Sequence, residues 1–429
     1  MNAHNPPRGR HLLRAGSLLP SAGGPVSRLL THILAPTMHH VLDRLDERLI
    51  VGRMEAWLPD GSLRILGGRA AGPECEVRLT DWRAMVRLAM SGSVGWFRAW
   101  QLGEWSSPDP VPLFALFMAN ARSLGDVARA RGPLRWLARA LHAWRDNHRN
   151  GARRNIAFHY DLGNDFYALW LDAEMNYSSA LFVNAGSNSE SLEDAQRRKN
   201  DMVLGQLDLQ DGQSLLEIGC GWGAFASRAL GAANIRYDGL TLSAHQKAYA
   251  EQRLTTEGKS ANARISLTDY RDAAGQYDAI ASIEMVEAVG QKYWPAYLET
   301  IHRLLKPGGR AVVQYICIDD AIFAQYAASA DFIQTYIFPG GMLVSESRFR
   351  ALAEDAGLQW NAPLQFGLDY AQTLLRWRER FDIAVEQGHL PPSFDASFVQ
   401  LWRYYLMYCE GGFRGGGINV AQVTLVKPA

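Results

Sequence analysis

Short apolar runs alternate with stretches of helical periodicity over the last two thirds of the chain, from about residue 155. A continuous apolar run of about four to eight residues is typical of a strand that is buried on both faces. Strand, helix and strand in this order predict a parallel sheet with helices on both faces. The predicted strands cover residues 214–218, 235–240, 264–267, 277–283 and 310–316, with helices such as 246–254 and 293–305 between them.

The region before this alternation has a different pattern. Residues 48–58 are rich in β-forming side chains, and the turn signal Pro59-Asp-Gly61 follows them. Asp81 is placed to cap a helix over residues 82–90, in which apolar residues recur at helical spacing. These features predict a small mixed α+β domain over residues 36–121.

Residues 1–35 have neither pattern. Their basic residues stand before the first acid, Asp43, and their apolar stretches are short and interrupted by polar residues, proline and glycine. A secretory signal peptide needs a continuous apolar core, so this alternative is disfavoured. We therefore expect a flexible leader.

Residues 122–154 carry nine arginines against two acids. Within them, Leu134, Leu137, Leu141 and Trp144 fall at steps of three, four and three, which places them on one face of a helix. A basic amphipathic helix with tryptophan on its apolar face can lie on an anionic membrane surface. The alternative is an ordinary connecting helix packed on the next domain, and the spacing fits both.

Composition excludes several classes of protein. Lysine plus arginine and aspartate plus glutamate each total 44, so the net charge is zero and the overall basic field of many nucleic-acid-binding proteins is absent. Hydrophobic residues make up 48% and charged residues 21%, as in an ordinary globular protein. The chain contains no run of 18 apolar residues, so no transmembrane helix is predicted. No C-x-x-C pair is present, which disfavours a zinc or redox site and suits a reducing compartment; the cysteines are Cys75, Cys220, Cys317 and Cys409.

A glycine-rich loop, Glu217-Ile-Gly-Cys-Gly-Trp-Gly223, lies between a predicted strand and a predicted helix. Its glycines allow a sharp turn and a close approach of the backbone to a ligand. A dinucleotide site has the spacing G-x-G-x-x-G, and Asp238 stands where such a site has its ribose-binding acid. Here the spacing is G-x-G-x-G, Asp238 lies within a predicted strand, and Glu217 precedes the first glycine by two residues. This combination resembles that of S-adenosylmethionine-dependent methyltransferases and disfavours nicotinamide binding.

Ordered motifs over the rest of the chain make the resemblance specific. They are His159-Tyr-Asp-Leu-Gly-Asn-Asp-Phe-Tyr167, Met175-Asn-Tyr-Ser-Ser179, Leu216-Glu-Ile-Gly-Cys-Gly-Trp-Gly223, Thr241-Leu-Ser-Ala-His-Gln246, Ser282-Ile-Glu-Met-Val-Glu-Ala-Val-Gly290, Tyr336-Ile-Phe-Pro-Gly-Gly341, Tyr370-Ala-Gln-Thr-Leu-Leu-Arg-Trp377 and Tyr404-Tyr-Leu-Met-Tyr-Cys-Glu410. From about residue 155 to its last residue, the chain resembles the cyclopropane-fatty-acyl-phospholipid synthase family, which includes mycolic acid cyclopropane synthases and related lipid C-methyltransferases. Residues 48–120 resemble the smaller N-terminal domain of its longer members.

The resemblance implies a Rossmann-like class I methyltransferase domain of the α/β class over residues 155–429, with a mostly parallel sheet of seven strands. The small α+β domain and the basic connecting helix of residues 122–154 precede it. The resemblance also implies S-adenosylmethionine as the methyl donor. The residues expected to bind it are Tyr160, Tyr177, Ser178, Glu217, Gly219, Gly221, Gly223, Thr241, Gln246, Asp269, Tyr270 and Ile283.

Members of this family methylate unsaturated acyl chains through a carbocation and hold a bicarbonate ion as the base. The resemblance therefore implies catalytic roles for the aligned positions, which are Ser179, Glu287, Gln314, Ile316 and Tyr370. Serine and glutamine replace the cysteine and histidine of the best-known members. Both can donate hydrogen bonds to a carbonate, but glutamine cannot relay a proton as histidine can.

The resulting hypothesis is a lipid C-methyltransferase that makes cyclopropane fatty acids from the unsaturated acyl chains of membrane phospholipids. The open alternatives are a methyl-branched or methylene-bearing product, a catalytically impaired lipid-binding paralogue and a small-molecule methyltransferase. We expect a cytoplasmic protein that associates peripherally with the inner face of the membrane. Expected partners are acyl chains and the anionic membrane surface, with a homodimer as a candidate assembly. No nucleic acid and no metal ion are expected.

Overall fold

The structure is a computed structural model, and it describes residues 8–15, 35–125, 162–186, 189–328 and 331–429. The contacts between residues divide the chain into two compact units. The N-terminal unit comprises Met1–Arg145, Ala321–Pro339 and Pro391–Ile418, and the sheet unit comprises Asp146–Asp320, Gly340–Leu390 and Asn419–Ala429. Every described residue of the predicted site belongs to the sheet unit.

The helices and strands are numbered separately in chain order. The α-helices are α1 (Arg10–Ala15), α2 (Ala35–Arg48), α3 (Arg83–Gln101), α4 (Val111–Ala119), α5 (Ala121–Leu124), α6 (Asn164–Tyr167), α7 (Leu192–Leu207), α8 (Ala224–Ala232), α9 (Ala244–Thr256), α10 (Trp294–Leu304), α11 (Asp320–Ala327), α12 (Glu346–Asp355), α13 (Gly367–Glu386) and α14 (Ala396–Arg414). The strands are β1 (Arg53–Trp57), β2 (Leu63–Gly67), β3 (Glu74–Leu79), β4 (Trp105–Ser106), β5 (Ser214–Ile218), β6 (Arg236–Thr241), β7 (Ala263–Leu267), β8 (Tyr277–Ile283), β9 (Leu305–Ile318), β10 (Val344–Ser345), β11 (Gln359–Gln365) and β12 (Ile418–Val426).

The N-terminal unit contains a small sheet in the order β2-β1-β3-β4. Strands β1 and β2 form an antiparallel hairpin in which Trp57 lies opposite Leu63, on either side of the predicted turn at residues 59–61. Strand β3 runs parallel to β1, and β4 runs antiparallel to β3. Helix α3 lies between β3 and β4, where a helix was predicted, although Gly92 leaves the helical conformation (φ 57°, ψ −139°) and kinks it. The mixed α+β content predicted for this region is confirmed.

An aromatic cluster forms part of the core of the N-terminal unit. The ring of Phe97 in α3 lies 4.9 Å from the rings of Phe332 and Tyr404 and 5.0 Å from that of Tyr336, measured between centroids. All four side chains are fully or almost fully buried. Edge-on and tilted arrangements of this kind are the preferred geometry of aromatic pairs.

The observed division differs from the predicted one at two segments. Residues 321–339 and 391–418 group with the N-terminal unit, whereas the sequence predicted one continuous catalytic domain over residues 155–429. The apolar residues of these two segments predict that the segments are buried. Their positions along the chain do not indicate which of the two cores they join.

The described part of the expected leader, residues 8–15, is also not a flexible tail. It contains helix α1, in which Leu12 is fully buried. Arg10 forms an ion pair with Asp395 at 3.3 Å. A Cβ atom at Gly9 would overlap the ring of Phe398. This short helix is held by the buried side chain of Leu12 and by the close approach of the Gly9 backbone to Phe398. Neither feature produces a long apolar run, so the sequence pattern did not predict it.

The sheet unit has the predicted α/β architecture. Its strands follow the order β11-β12-β9-β8-β5-β6-β7, and the short β10 pairs with β9. Neighbours from β9 to β7 are parallel, and β11 is antiparallel to β12. The prediction of a mostly parallel sheet is confirmed in the described residues, with seven strands along the continuous path. The carboxyl ends of β5 to β9 meet at one edge, where ligands bind in sheets of this type.

Candidate active site

The glycine loop leaves β5 in backbone conformations that glycine adopts easily. Gly219, Gly221 and Gly223 have φ angles of 86°, 51° and 81°, in the left-handed region that other residues rarely enter. A Cβ atom at Gly219 would lie 2.9 Å from Cγ of Met285, whereas one at Gly221 would meet nothing within 4 Å. The loop is therefore closed on the Met285 side and open at Gly221, where a ligand can approach the backbone.

Glu217, the acid that precedes the glycines, is buried at the end of β5. The Tyr237 hydroxyl donates a hydrogen bond to its carboxyl group. Burial raises the pKa of Glu217 from 4.5 to about 7, and the Tyr237 hydrogen bond and the charge of Lys199 oppose the rise. The acid of the motif is thus held in place by the protein and is not a solvated surface charge.

The ends of β6 and β7 bring four more predicted residues to the same edge of the sheet. The Thr241 hydroxyl donates to Oε1 of Gln246 at 2.9 Å. Asp269 is buried, and the Arg271 guanidinium binds its two oxygens at 2.8 and 2.6 Å. Tyr270 is buried beside it, and its hydroxyl has no hydrogen-bond partner in the described ranges. These positions agree with a cofactor site, and their contact with the cofactor remains a prediction.

The remaining predicted cofactor residues lie on several segments. Ser178 is buried and accepts a hydrogen bond from a lysine on α7, and Ile283 is the last residue of β8. Tyr177 is half-buried against three aromatic rings whose centroids lie 5.4 to 5.6 Å away, those of Tyr167, Trp170 and Trp377. Tyr160 lies outside the described residues.

Three of the five expected catalytic positions converge on a carboxylate that was not among the predicted residues, Glu284. The backbone N–H of Ser179 and the side-chain amide of Gln314 donate to its Oε1 at 2.8 and 2.7 Å. The Tyr370 hydroxyl donates to its Oε2 at 2.6 Å. Burial raises the pKa of Glu284, while these three hydrogen bonds and the charge of Lys199 lower it. Hydrogen bonds to the charged form stabilise a carboxylate inside a protein.

A chain of hydrogen-bonded side-chain amides orients Gln314 toward Glu284. Gln422 donates to Oε1 of Gln314 at 2.9 Å, and Gln206 donates to Oε1 of Gln422 at 3.0 Å. The Thr424 hydroxyl donates in turn to Oε1 of Gln206 at 3.1 Å. Because its oxygen is occupied by Gln422, the Gln314 amide presents its N–H₂ group to the carboxylate. Glutamine at this position is therefore a fixed hydrogen-bond donor.

Glu287, the carboxyl group that was predicted to be catalytic, has a different environment. Its Oε1 accepts a hydrogen bond from the backbone N–H of Ile316. Its Oε2 is buried and has no hydrogen-bond partner in the part of the chain that the structure describes. Burial, and then the negative charge of Glu284, raise the pKa of Glu287 from 4.5 to about 8. The charge of Glu284 thus acts on the pKa of Glu287, and interacting carboxyl groups of this kind occur in sites that exchange protons.

Comparison with models of protein families adds an independent finding. Residues 147–423 match the family described as Mycolic acid cyclopropane synthetase. This range covers more than half of the chain and includes every residue of the predicted site. The chain belongs to this family. The resemblance deduced from the motifs is confirmed, and the protein is an S-adenosylmethionine-dependent methyltransferase.

Individual members of the family are similar over different parts of the chain. Tuberculostearic acid methyltransferase UfaA1 of Mycobacterium tuberculosis is 37% identical over 348 residues, which cover 80% of this chain and 80% of that protein. The cyclopropane-fatty-acyl-phospholipid synthase of Escherichia coli is 35% identical over 272 residues, which cover 63% of this chain and 66% of that protein. The relatives are thus enzymes that modify lipids.

A solved structure gives the same result for the fold. The mycolic acid cyclopropane synthase CmaA1 complexed with SAH and CTAB is 31% identical, with a TM-score of 0.59 over 64% of this chain and 98% of that one. Two observations agree with S-adenosylmethionine at the predicted cofactor site. Gly221 leaves open space beside the loop, and the buried Tyr270 hydroxyl has no hydrogen-bond partner in the described ranges.

A further residue of the site, Lys199 on α7, was not predicted from the sequence. Its side chain is 1% exposed, and its ammonium group donates to the Ser178 hydroxyl at 2.8 Å. Burial lowers the pKa of Lys199 from 10.5 to about 8, and the charges of nearby carboxylates, with Glu284 first, oppose the shift. Lys199 is thus a buried cation close to the acids of the site.

The sequence carried a signal for both missed residues. Glu284 stands three residues before Glu287 in the same motif, and only one of the two acids was assigned a role. Gln196, Lys199 and Asn200 recur at steps of three and one on α7, and all three are buried. Polar residues on the buried face of a helix need partners, so their spacing marks a polar site rather than a simple packing face.

Proposed function

We propose that the protein transfers the methyl group of S-adenosylmethionine to the double bond of an unsaturated acyl chain in a membrane phospholipid, and that ring closure gives a cyclopropane fatty acid. The observation that carries this proposal is the pair of carboxyl groups, Glu284 and Glu287, at the sheet edge that also holds the glycine loop. Relatives whose names describe cyclopropane synthesis support it.

The proposed reaction places three demands on the protein. An alkene is a weak nucleophile, and S-adenosylmethionine supplies a strongly electrophilic methyl group when it is bound. The cation that forms on the acyl chain must be kept from water and must lose a proton to a base. In this proposal, the aromatic rings packed around Tyr177 serve as the apolar wall that shields the cation. The carboxyl groups of Glu284 and Glu287 provide the groups that exchange protons.

Lipid mass spectrometry tests the proposal. The chain is expressed in a host that lacks cyclopropane lipids, and its phospholipid acyl chains are compared with those of the host alone. We expect a gain of one CH₂ per modified chain together with loss of the double bond. The matched control is Gly219→Val, because a side chain there would strain the backbone and overlap Met285. Unchanged acyl chains in cells that contain the folded protein would contradict the proposal.

A second product is favoured by one specific observation. The relative that covers 80% of both chains is named a tuberculostearic acid methyltransferase. Ser179 and Gln314 also depart from the residues of the best-known cyclopropane synthases. The second candidate is therefore a methyl-branched or methylene-bearing acyl chain. Ozonolysis before mass spectrometry separates the products, because the methylene-bearing chain has the same mass as the cyclopropane chain but keeps a double bond that ozone cleaves. A saturated methyl-branched chain is heavier than both by two hydrogens, which a separate reductant must supply.

Membrane contact is a separate part of the proposal. No helix within the described ranges combines the length and the apolar character needed to cross a bilayer. We propose that the basic segment of residues 122–154 binds the anionic inner face of the membrane. Most of this segment, residues 126–154, lies outside the described residues, so the proposal rests on its charge and spacing.

Charge reversal at Arg135, Arg139 and Arg145 is expected to weaken binding to anionic vesicles, and added salt is expected to weaken binding of the unmodified chain. Vesicle co-sedimentation measures both effects. The matched control reverses three exposed arginines of the described chain, Arg236, Arg310 and Arg350. An equal loss of vesicle binding in both triple variants would show that only the total charge matters. It would exclude residues 122–154 as a dedicated membrane-binding segment.

A further inference from the structure

The proposed reaction needs a proton acceptor beside the cation, and the sheet unit contains a carboxylate surrounded by hydrogen-bond donors. We propose that the Glu284 carboxylate takes the place of the bicarbonate expected from the family resemblance and accepts the proton itself. This inference rests on the proposed function and deepens it. The base is then a side chain of the protein, and bicarbonate is no longer an expected cofactor.

The hydrogen bonds of Glu284 carry the inference. Ser179, Gln314 and Tyr370 are three of the five positions expected to bind bicarbonate, and each donates to Glu284 instead, at 2.8, 2.7 and 2.6 Å. Carboxylate and bicarbonate share a planar O–C–O group that accepts hydrogen bonds in the same directions. The donors are therefore assembled around an anion of the expected shape, and that anion is a side chain.

The two other positions, Glu287 and Ile316, are hydrogen-bonded to each other through Oε1 of Glu287, while Oε2 of Glu287 has no hydrogen-bond partner in the described residues. The Ser179 hydroxyl donates to the carbonyl oxygen of Ala180 at 2.9 Å. A separate bicarbonate could reach the donors of Ser179, Gln314 and Tyr370 only by displacing a hydrogen bond of Glu284. It would also bring a second negative charge next to Glu284 inside the protein, where like charges repel strongly. The residues present therefore do not fit bicarbonate.

The backbone conformation of Glu284 also supports a functional role for its carboxylate. Its φ angle is 51°, in the left-handed region. For a residue with a side chain this conformation is less favourable than for glycine. A glycine here would avoid the strain, yet the chain has glutamate. Strained residues persist where surrounding interactions fix them, often at active sites, and the three hydrogen bonds to the carboxylate supply those interactions.

The bonds and charges of the proposed step balance. The electron pair of the double bond would form the bond to the methyl group as the bond from carbon to sulfur breaks. The electrons of that bond stay on sulfur, S-adenosylhomocysteine is the leaving group, and a cation remains on the neighbouring carbon of the acyl chain. The Glu284 carboxylate then takes a proton from the new methyl group, and the electron pair of that C–H bond closes the ring. Glu284 is left as a neutral acid and gives its proton to water when the product leaves.

The first test uses the unmodified full chain with S-adenosylmethionine and vesicles of anionic unsaturated phospholipid. Turnover is measured in buffer freed of carbon dioxide and again with added bicarbonate. We expect the same rate in both, because the base is part of the chain. A rate that falls on removal of bicarbonate and returns on its addition would overturn the inference.

The second test removes the carboxylate and leaves its donors. Glu284→Gly relieves the backbone strain and opens a space of carboxylate size, and its turnover is expected to fall by about 10²–10⁴-fold. Added formate is expected to restore part of the rate by binding the same donors. Glu284→Gln fills that space with an amide, so formate is expected to have no effect. The matched control is Glu299→Gln, an exposed acid on α10 whose loss should leave turnover unchanged.

The product distribution gives a readout that a structural role would not change. A cation without its base is trapped by water, so Glu284→Gly is expected to produce more methylated alcohol per modified chain. Loss of turnover without formate rescue and without alcohol would make Glu284 a structural residue and overturn the inference. If the unmodified chain consumes no S-adenosylmethionine with unsaturated phospholipid, the proposed function fails and the inference falls with it. Turnover that depends on bicarbonate overturns the inference alone.

Discussion

The Glu287→Gln variant is expected to turn over about 10²-fold more slowly than the unmodified chain while it binds S-adenosylmethionine with nearly unchanged affinity. Glutamine retains the shape of the side chain and an oxygen that accepts the hydrogen bond of Ile316. It cannot release a proton, however. The Oε2 atom of Glu287 is buried with no hydrogen-bond partner in the described residues, and Glu284 is close enough for its charge to raise the pKa of Glu287. The variant thus removes proton exchange and leaves the glycine loop intact.

The same variant is expected to be more stable than the unmodified chain at alkaline pH. Burial, followed by the charge of Glu284, raises the pKa of Glu287 from 4.5 to about 8. The folded chain therefore holds this proton more tightly than the unfolded chain does. The resulting stabilisation is complete below the unfolded pKa and is lost as the pH rises through about 8. Glutamine does not titrate, so it avoids this loss.

Urea denaturation at two pH values checks the expectation. The difference in unfolding free energy between Glu287→Gln and the unmodified chain should be small near pH 5 and should grow to a few kcal/mol near pH 9, where ~1.4 kcal/mol corresponds to each pKa unit. Glu299→Gln, at an exposed site, should show no such growth. Loss of cofactor binding in Glu287→Gln would reassign the residue to the cofactor site, and a stability difference independent of pH would contradict the raised pKa.

The sheet of the sheet unit could be predicted because each of its predicted strands is a separate apolar run in the sequence. The runs at residues 214–218 and 277–283 agree with β5 and β8 to the residue. The fifth run was predicted over residues 310–316, but β9 begins at Leu305. The composition of residues 306–309, Lys306-Pro-Gly-Gly309, is typical of a turn. In the structure, Leu305 pairs with Tyr277 across a register shift, so the strand continues through the irregular residues.

Three of the predicted catalytic positions lie together in the structure, around a carboxylate that the sequence did not single out. Ser179, Gln314 and Tyr370 were selected from separate motifs, and the structure brings them together. The sequence could not show that they meet at Glu284, because the residues they join are 30 to 105 positions apart along the chain. The left-handed backbone of Glu284 has no local sequence signal either, since glutamate rarely adopts it. A family resemblance indicates which positions form a site. It does not identify the anion to which the residues at those positions donate hydrogen bonds.

Replacing Lys199 by methionine is expected to destabilise the fold by roughly 3–5 kcal/mol at neutral pH, the usual cost of removing one partner from a buried group of charges. Methionine has a similar length and fills the same space, so the change isolates the charge. Lys199 is 1% exposed, and the carboxylates whose charges act on it are, from the largest effect to the smallest, Glu284, Asp172, Glu217 and Glu174. Without the cation, the negative charges of these acids are less compensated, and those of Asp172 and Glu217 are buried.

A double variant separates the charge effect from a loss of packing. If Lys199 stabilises the fold through Glu284, then Lys199→Met combined with Glu284→Gln should cost less than the sum of the two single changes. The glutamine removes one of the negative charges that the missing cation would have balanced. Urea denaturation of the unmodified chain, the two single variants and the double variant gives the coupling free energy directly. Additive losses would mean that Lys199 and Glu284 act independently.

The control for this cycle is Lys292→Met, since Lys292 is exposed on the same unit. A change at the surface should stay within about 0.5 kcal/mol. The same four proteins also connect stability with activity. The charge of Lys199 lowers the pKa of Glu284, so Lys199→Met should favour the protonated, inactive form of the proposed base and slow turnover at neutral pH. A Lys199→Met protein that is as stable and as active as the unmodified chain would show that the buried ammonium group is dispensable for both.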